Sequence, residues 1–197
     1  FNGDPFIYIA AFGLFTDVSY ETKQSMKNIL GHLAYVLEGT KRIFNIPSYK
    51  IKVTHDGEEF EDEFIFGMVT NSRSVGGFKG IIGTDVVFDD GEFEVTLIRT
   101  PKNPLELNEL LGAIVMKQIN PQRMYSFKSG CVRFACEEEI PWTLDGEFGG
   151  KHREVTVTDK KQALRIMVRQ EMAAGLSVSG QVSEKGSEKV SEKNEEN

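Results

Sequence analysis

Three Asp-Gly-Glu triplets concentrate carboxylates at tight points of this chain: Asp56-Gly57-Glu58, Asp90-Gly91-Glu92 and Asp145-Gly146-Glu147. A carboxylate held in a turn can take a proton from an acceptor hydroxyl or offer oxygen to a hard cation. Each triplet also has a purely structural reading. Asp-Gly between two extended runs is the strongest short-range hairpin signal, because both central residues of a type I′ turn need positive φ, which Gly and Asp tolerate. All three copies lie between segments that read as strands, so residue types alone leave turn and site both open.

The elements that would position these triplets are mostly β. Phe6 to Phe12 is an apolar run of the kind expected in a strand buried on both faces. Tyr49, Ile51 and Val53 alternate with lysines before the first triplet, and the return arm Phe64 to Val69 is continuously apolar. Strands are expected on both sides of Asp90-Gly91; after it, Phe93, Val95 and Leu97 alternate with Glu94 and Thr96. Further strands are expected over Ser126 to Glu137, Ile140 to Leu144, Arg153 to Val157 and Leu164 to Val168.

Helical spacing covers Ser19 to about Phe44, with Ile29, Leu30, Leu33, Val36 and Leu37 on one stripe, and Pro47 ends it. A Gly- and Ser-rich loop runs from Asn71 to Gly83. Asn103-Pro104-Leu105-Glu106 opens another helix with an N-cap Asn and Pro at the first position; Leu107, Leu110, Leu111, Ile114 and Val115 form its apolar stripe, and Pro121 closes it. At most three helical stretches among eight or more strands predict a mainly β, α+β domain, antiparallel with helices inserted at its connections. The domain is expected over residues 1–170. Residues 173–197, with Ser-Glu-Lys repeated at Ser183, Ser187 and Ser191, read as a disordered low-complexity tail.

With 197 residues and 40% hydrophobic content the chain can bury a real core. No run approaches the ~18 apolar residues of a membrane span, and no signal peptide is legible at Phe1, so a cytoplasmic location is expected. The net charge of −7 argues against nonspecific nucleic-acid binding and against electrostatic anchoring to anionic lipid, although apolar surface could still bind lipid. Cys131 and Cys136, five apart in a strand-like segment, point to opposite faces and read as free thiols. His32, His55 and His152 lack a second His or Cys at metal spacing. Phe64, Phe66 and Phe134 read as core, whereas Trp142 and Phe148, flanking Glu147, are the aromatics to consider for lipid contact. The opening residues, which lack Met and pass at once into an apolar run, read as cut from something longer.

One ordered set of segments carries a specific likeness: Gly31 to Gly39, Asn71 to Phe78, Val86-Val87-Phe88-Asp89-Asp90-Gly91-Glu92-Phe93-Glu94-Val95, and Thr143-Leu144-Asp145-Gly146-Glu147-Phe148-Gly149-Gly150. In register from about Phe6 to Val168, the chain resembles the soluble diacylglycerol kinases, a family of bacterial lipid kinases. The family joins an N-terminal nucleotide-binding domain, marked by a Gly-Gly-Asp-Gly-Thr loop, to a larger C-terminal β-sandwich domain. The chain resembles only the second. The implied fold is the antiparallel β-sandwich with inserted helices of the diacylglycerol kinase/NAD kinase-like C-terminal domain. With no Gly-Gly-Asp-Gly-Thr present, the ATP-binding half is expected upstream of Phe1 or removed.

The resemblance implies roles for two triplets. Glu147 would be the general base that takes the proton of the lipid hydroxyl as it attacks the γ-phosphate of ATP, while Asp145 orients the turn. Gly146, Gly149 and Gly150 would leave room for backbone approach to a phosphate. Asp90 would give a carboxylate oxygen to Mg²⁺, with Val87 and Glu92 giving backbone carbonyls and Asp89 a competitor for the role. Asp56-Gly57-Glu58 matches no functional position and stays a turn.

The implied function is the C-terminal part of an ATP-dependent kinase that converts diacylglycerol to phosphatidic acid for phospholipid synthesis, inactive alone and transiently at the membrane surface. The alternatives are a noncatalytic lipid-binding module, or a kinase for a sphingoid base, ceramide or phosphatidylglycerol. A homodimer is also compatible with the long β edges.

Overall fold

The computed structural model describes residues 1–14, 47–73, 75, 86–116 and 118–165. Phe1–Lys161 form one compact unit and Gln162–Asn197 a second. Within the first, the described elements are β1 (Ile9–Gly13), β2 (Tyr49–His55), β3 (Glu58–Thr70), β4 (Phe93–Arg99), α1 (Pro104–Val115), β5 (Met124–Ser129), β6 (Cys131–Leu144) and β7 (Glu147–Thr158). The mainly β, antiparallel architecture expected from the alternation patterns is therefore the one formed.

All strand pairings are antiparallel, and the two long strands β3 and β6 organise the sheet. The first half of each pairs with β2, Val53 lying opposite both Phe60 and Phe134. The second half of each pairs with β1, Phe12 lying opposite both Gly67 and Trp142. Strands β2 and β1 thus lie end to end in one column between β3 and β6. Strands β4 and β5 extend the sheet beyond β3, and β7 extends it beyond β6.

The sheet is strongly curled. His55 on β2 stacks on Phe127 of β5 with ring centroids 3.8 Å apart, although β3 and β4 lie between them. His55 lies opposite Glu58, while Phe127 is linked through Val95 to Val69, so a flat sheet would hold the two roughly 40 Å apart, and accumulated twist has folded the β2 and β5 sides together. Inside the curl lies an aromatic core. Phe12 packs at 4.8 Å from Trp142 and 6.2 Å from Phe134, and Phe1 meets Trp142 edge-on at 5.1 Å. Gly67 is needed there, because a Cβ at that position would fall on the Phe12 ring and Leu97.

The opposite face carries a second core of Ile9, Ala11, Ile65, Phe66, Met68, Ile98 and Met124, packed with Leu110 and Ile114 of α1. The helix starts where the sequence places it: Asn103 Oδ1 accepts the Glu106 N–H at 3.0 Å, and Glu106 Oε2 accepts the Lys102 N–H at 2.7 Å. It ends at a Met116 cap, ahead of Pro121. Phe64, Phe66 and Phe134 are buried as expected, and both cysteines are free thiols.

Several expectations are corrected. The first strand begins at Ile9 rather than Phe6, leaving Ile7 and Tyr8 exposed. Ser126 to Glu137 and Ile140 to Leu144 are not two strands in series: β5 ends at Ser129, and β6 runs unbroken through 131–144, absorbing its irregularity as register shifts against β7. No strand precedes Asp90 over 86–92. In the second unit, residues 162–165 form no strand and Leu164 is exposed, so the strand expected from Leu164 is absent there. The Ser19–Phe44 helix, most of the Asn71–Gly83 loop and the 173–197 tail lie outside the described residues, as does His32.

Candidate active site

The third triplet forms the β6–β7 turn. Asp145 and Gly146 have φ of 50° and 95°, the positive pair of a type I′ turn, and Asp56 and Gly57 at the β2–β3 turn match it with 47° and 83°. The two turns differ in what the aspartate does. Asp145 Oδ2 accepts the Ile7 N–H at 2.8 Å, while Oδ1 accepts the N–H groups of Tyr8 at 2.8 Å and Ile9 at 2.9 Å. The Asp145 N–H in turn donates to the Ile9 carbonyl at 2.8 Å. This side chain ends the approach to β1, which is why the strand starts at Ile9. Its acceptors are committed to backbone, in keeping with an orienting role.

Glu147, two residues later, is exposed at the first position of β7, directly opposite Leu144. Its neighbour Phe148 is 71% exposed, whereas Trp142 is 2% exposed in the aromatic core. Trp142 is therefore removed from the candidate lipid contacts, because the alternation of β6 turns it inward. The expectation that Gly149 and Gly150 open room for a phosphate is also corrected. A Cβ at Gly149 would meet Leu144, and one at Gly150 would meet His152, whose Nε2 pairs with the Gly149 carbonyl at 2.9 Å. These glycines serve close packing of the hairpin.

The second triplet is not a hairpin. Residues 86–92 form a turn-and-bend segment in which Asp90 Oδ1 accepts the Glu92 N–H at 3.1 Å and Gly91 takes φ of 88°. The side chains of Val87, Phe88, Asp89 and Glu92 are exposed. Asp90 Oδ2 lies 3.5 Å from Lys128 Nζ, which is also 3.7 Å from Glu94 Oε1. Glu94 is only 4% exposed. Burial pushes its carboxyl above the usual range, the Asp90 charge adds to this, and Lys128 opposes it. Asp159 is likewise raised, first by burial and then by Asp90.

Contacts across one end of the sheet connect the second and third triplets. Glu147 lies opposite Leu144, Leu144 opposite Ala10, Ile9 opposite Thr70, Thr70 opposite Glu94, and Glu94 opposite Lys128. The row is tied off by side chains: Thr70 Oγ1 donates to the Tyr8 carbonyl at 2.6 Å, and Asn71 Nδ2 donates to the Phe88 carbonyl at 3.1 Å. Four strand spacings separate β7 from β4, about 19 Å in a flat sheet and less in a curled one. The first triplet is the β2–β3 turn, and the neighbouring His55 stacks on Phe127.

A hard cation fits the donor set at the second triplet. All candidate donors are oxygen: the Asp90 carboxylate and the Val87 and Glu92 carbonyls. Beside this segment, Asn71 Oδ1 and both Glu94 carboxylate oxygens are buried without a hydrogen-bond partner among the described residues. No group of three or more His, Cys, Asp or Glu side chains among the described residues could hold a metal. An ion here would rest on one carboxylate, backbone carbonyls and water, a set that suits Mg²⁺.

Sequence reasoning missed Glu94, Lys128 and Asn71. Glu94 alternates with Phe93 and Val95 and so reads as a solvent-facing strand residue. No local signal shows that its face is covered.

Residues 10–168 match the family model of the YegS C-terminal NAD kinase beta sandwich-like domain. The diacylglycerol kinase of Bacillus subtilis (strain 168) is 30% identical over 149 residues, 76% of this chain and 49% of that protein. The diacylglycerol kinase of Staphylococcus carnosus (strain TM300) is 28% identical over 151 residues, with the same coverage of 76% and 49%. A crystal structure of a putative diacylglycerol kinase from Bacillus anthracis str. Sterne superposes with a TM-score of 0.57 at 25% identity, covering 80% of this chain and 52% of that one. The chain spans about half the length of the relatives it matches.

Proposed function

Because the chain belongs to the YegS C-terminal NAD kinase β-sandwich-like domain family, we propose that it is the lipid-facing part of a kinase that transfers the γ-phosphate of ATP to diacylglycerol, giving phosphatidic acid. The relatives, of which the chain covers about half, carry the name diacylglycerol kinase. The observation that carries the reading to residues is the convergence of the second and third triplets on one sheet end, through Asp145, Thr70 and Asn71.

In the proposed reaction Glu147 is the general base. Its carboxylate takes the proton of the acceptor hydroxyl as that oxygen bonds to the γ-phosphorus, the bond from the γ-phosphorus to the bridging oxygen breaks, and ADP leaves. The β6–β7 turn suits the role because Asp145 anchors it to the backbone of 7–9, which leaves Glu147 projecting from a held strand end. Exposed Phe148, Ile7 and Tyr8 beside it offer apolar contact to a lipid brought from a membrane surface. Asp90, with the Val87 and Glu92 carbonyls, would hold Mg²⁺, whose positive charge would tie the 86–92 segment into the site rather than carry ATP. ATP itself would be held by a nucleotide-binding domain such as the family carries. No helix among the described residues is long and apolar enough to cross a membrane.

The test is ATP-dependent phosphorylation of diacylglycerol in mixed micelles with Mg²⁺, using the complete reading frame. Glu147→Ala should lower turnover by roughly a hundredfold or more, as expected for loss of a general base, with an unchanged melting temperature. Equal activity of parent and variant would return Glu147 to a turn residue.

A further inference from the structure

The Lys128 ammonium stands where a metal at Asp90 would feel it most. Its Nζ is 3.5 Å from Asp90 Oδ2 and 3.7 Å from Glu94 Oε1, and Glu94 pairs with Lys128 across β4 and β5 in register. Resting on the Mg²⁺ reading above, we infer that Lys128 is a positioning residue: a built-in cation that competes with the bound divalent ion for Asp90 and sets the affinity of the 86–92 segment for metal.

Four charged groups face this point from neighbouring elements. Lys128 from β5 and Glu94 from β4 flank Asp90, Asp159 follows β7, and the Lys161 side chain packs where a Cβ on Gly91 would lie, 3.3 Å from it. Asp90 Oδ1 is already engaged by the Glu92 N–H, so Oδ2 is the oxygen that a metal and Lys128 must share. An ammonium and a divalent ion cannot both lie against one carboxylate oxygen without strong repulsion. Glu94 resolves the conflict. Its buried oxygens have no hydrogen-bond partner among the described residues, so they give the ammonium a second acceptor to swing toward when metal takes Asp90. Before metal arrives, Lys128 neutralises the loop and holds it near its bound shape.

The sign of the effect separates this role from an ordinary structural ion pair. Removing a unit positive charge some 5–6 Å from a divalent ion tightens its binding by roughly tenfold or more, even at the dielectric of water. Loss of a merely structural pair would loosen the segment and weaken binding.

The experiment is titration of the 197-residue chain with Mn²⁺, read by the electron paramagnetic resonance signal of the free ion, independent of any kinase activity. Asp90→Asn should abolish the tight site, Lys128→Met should tighten it about tenfold, and Lys128→Arg should restore the parent affinity. Lys128→Gln carries no charge but keeps an N–H donor between Asp90 and Glu94. It should also bind more tightly than the parent, and it keeps the test readable if Lys128→Met does not fold. Parent-like or weaker binding by both uncharged variants overturns the competition while leaving the metal site standing. No binding that depends on Asp90 overturns the metal reading and this inference with it.

Discussion

Replacing Asp145 with Ala removes the acceptor for three backbone N–H groups, those of Ile7, Tyr8 and Ile9 at 2.8, 2.8 and 2.9 Å. Two of the three bonds are exposed, so each contributes at the low end for a charge-assisted bond, and together they stabilise by about 2 kcal/mol. Asp145 also sits at φ of 50°, a region that costs an ordinary side chain about 1 kcal/mol. Asp145→Ala should therefore lose about 3 kcal/mol and Asp145→Gly about 2, since Gly escapes the backbone term. Asp145→Asn should lose about 1, since an amide oxygen in the Oδ1 position keeps the Tyr8 and Ile9 bonds. At about 2–4 °C per kcal/mol for a domain of this size, the Ala variant should melt roughly 6–12 °C below the parent. Thermal unfolding followed by circular dichroism, with Glu147→Ala as the comparison, reads all of this. An Ala variant melting within 2 °C of the parent would refute the tether, and a Gly variant less stable than Ala would refute the backbone term.

Gly67→Ala should lower stability by about 1–3 kcal/mol in denaturant titration, because its Cβ would enter the Phe12 ring and Leu97 in the aromatic core. The thiols should separate chemically. Burial, reinforced by Glu138, raises Cys136 from 9.0 to about 11, which leaves about a hundredfold less thiolate than an ordinary thiol, whereas Cys131 is exposed. At pH 8 an alkylating reagent should modify one site quickly and a second slowly, and Cys131→Ser should remove the fast phase. A raised thiol favours the protonated fold, so this contribution to stability is intact below pH 9.0 and is lost as pH climbs toward about 11.

Much of this protein is legible in its sequence. Alternation of Tyr49, Ile51 and Val53 and of Phe93, Val95 and Leu97 marks β2 and β4, and Asn103-Pro104 marks the start of α1, because strand period and helix capping are local properties. Two of the three triplets are the turns that Asp-Gly demands. Local pattern failed where a distant group decides the outcome. Phe6 to Tyr8 has the composition of a strand, but Asp145, more than 130 residues away in sequence, takes the N–H groups from which pairing would begin. Trp142 sits three residues before Asp145 yet faces inward, because the parity of β6 and the curl of the sheet outrank proximity in sequence. The sequence by itself determined the types of β2, β3, β4 and α1 and singled out the two triplets that carry the family likeness. Only the tertiary structure decided that those triplets share a sheet end, that Glu94 is buried and that Lys128 faces Asp90, since register and curl bring together residues whose spacing along the chain records nothing of their distance in space.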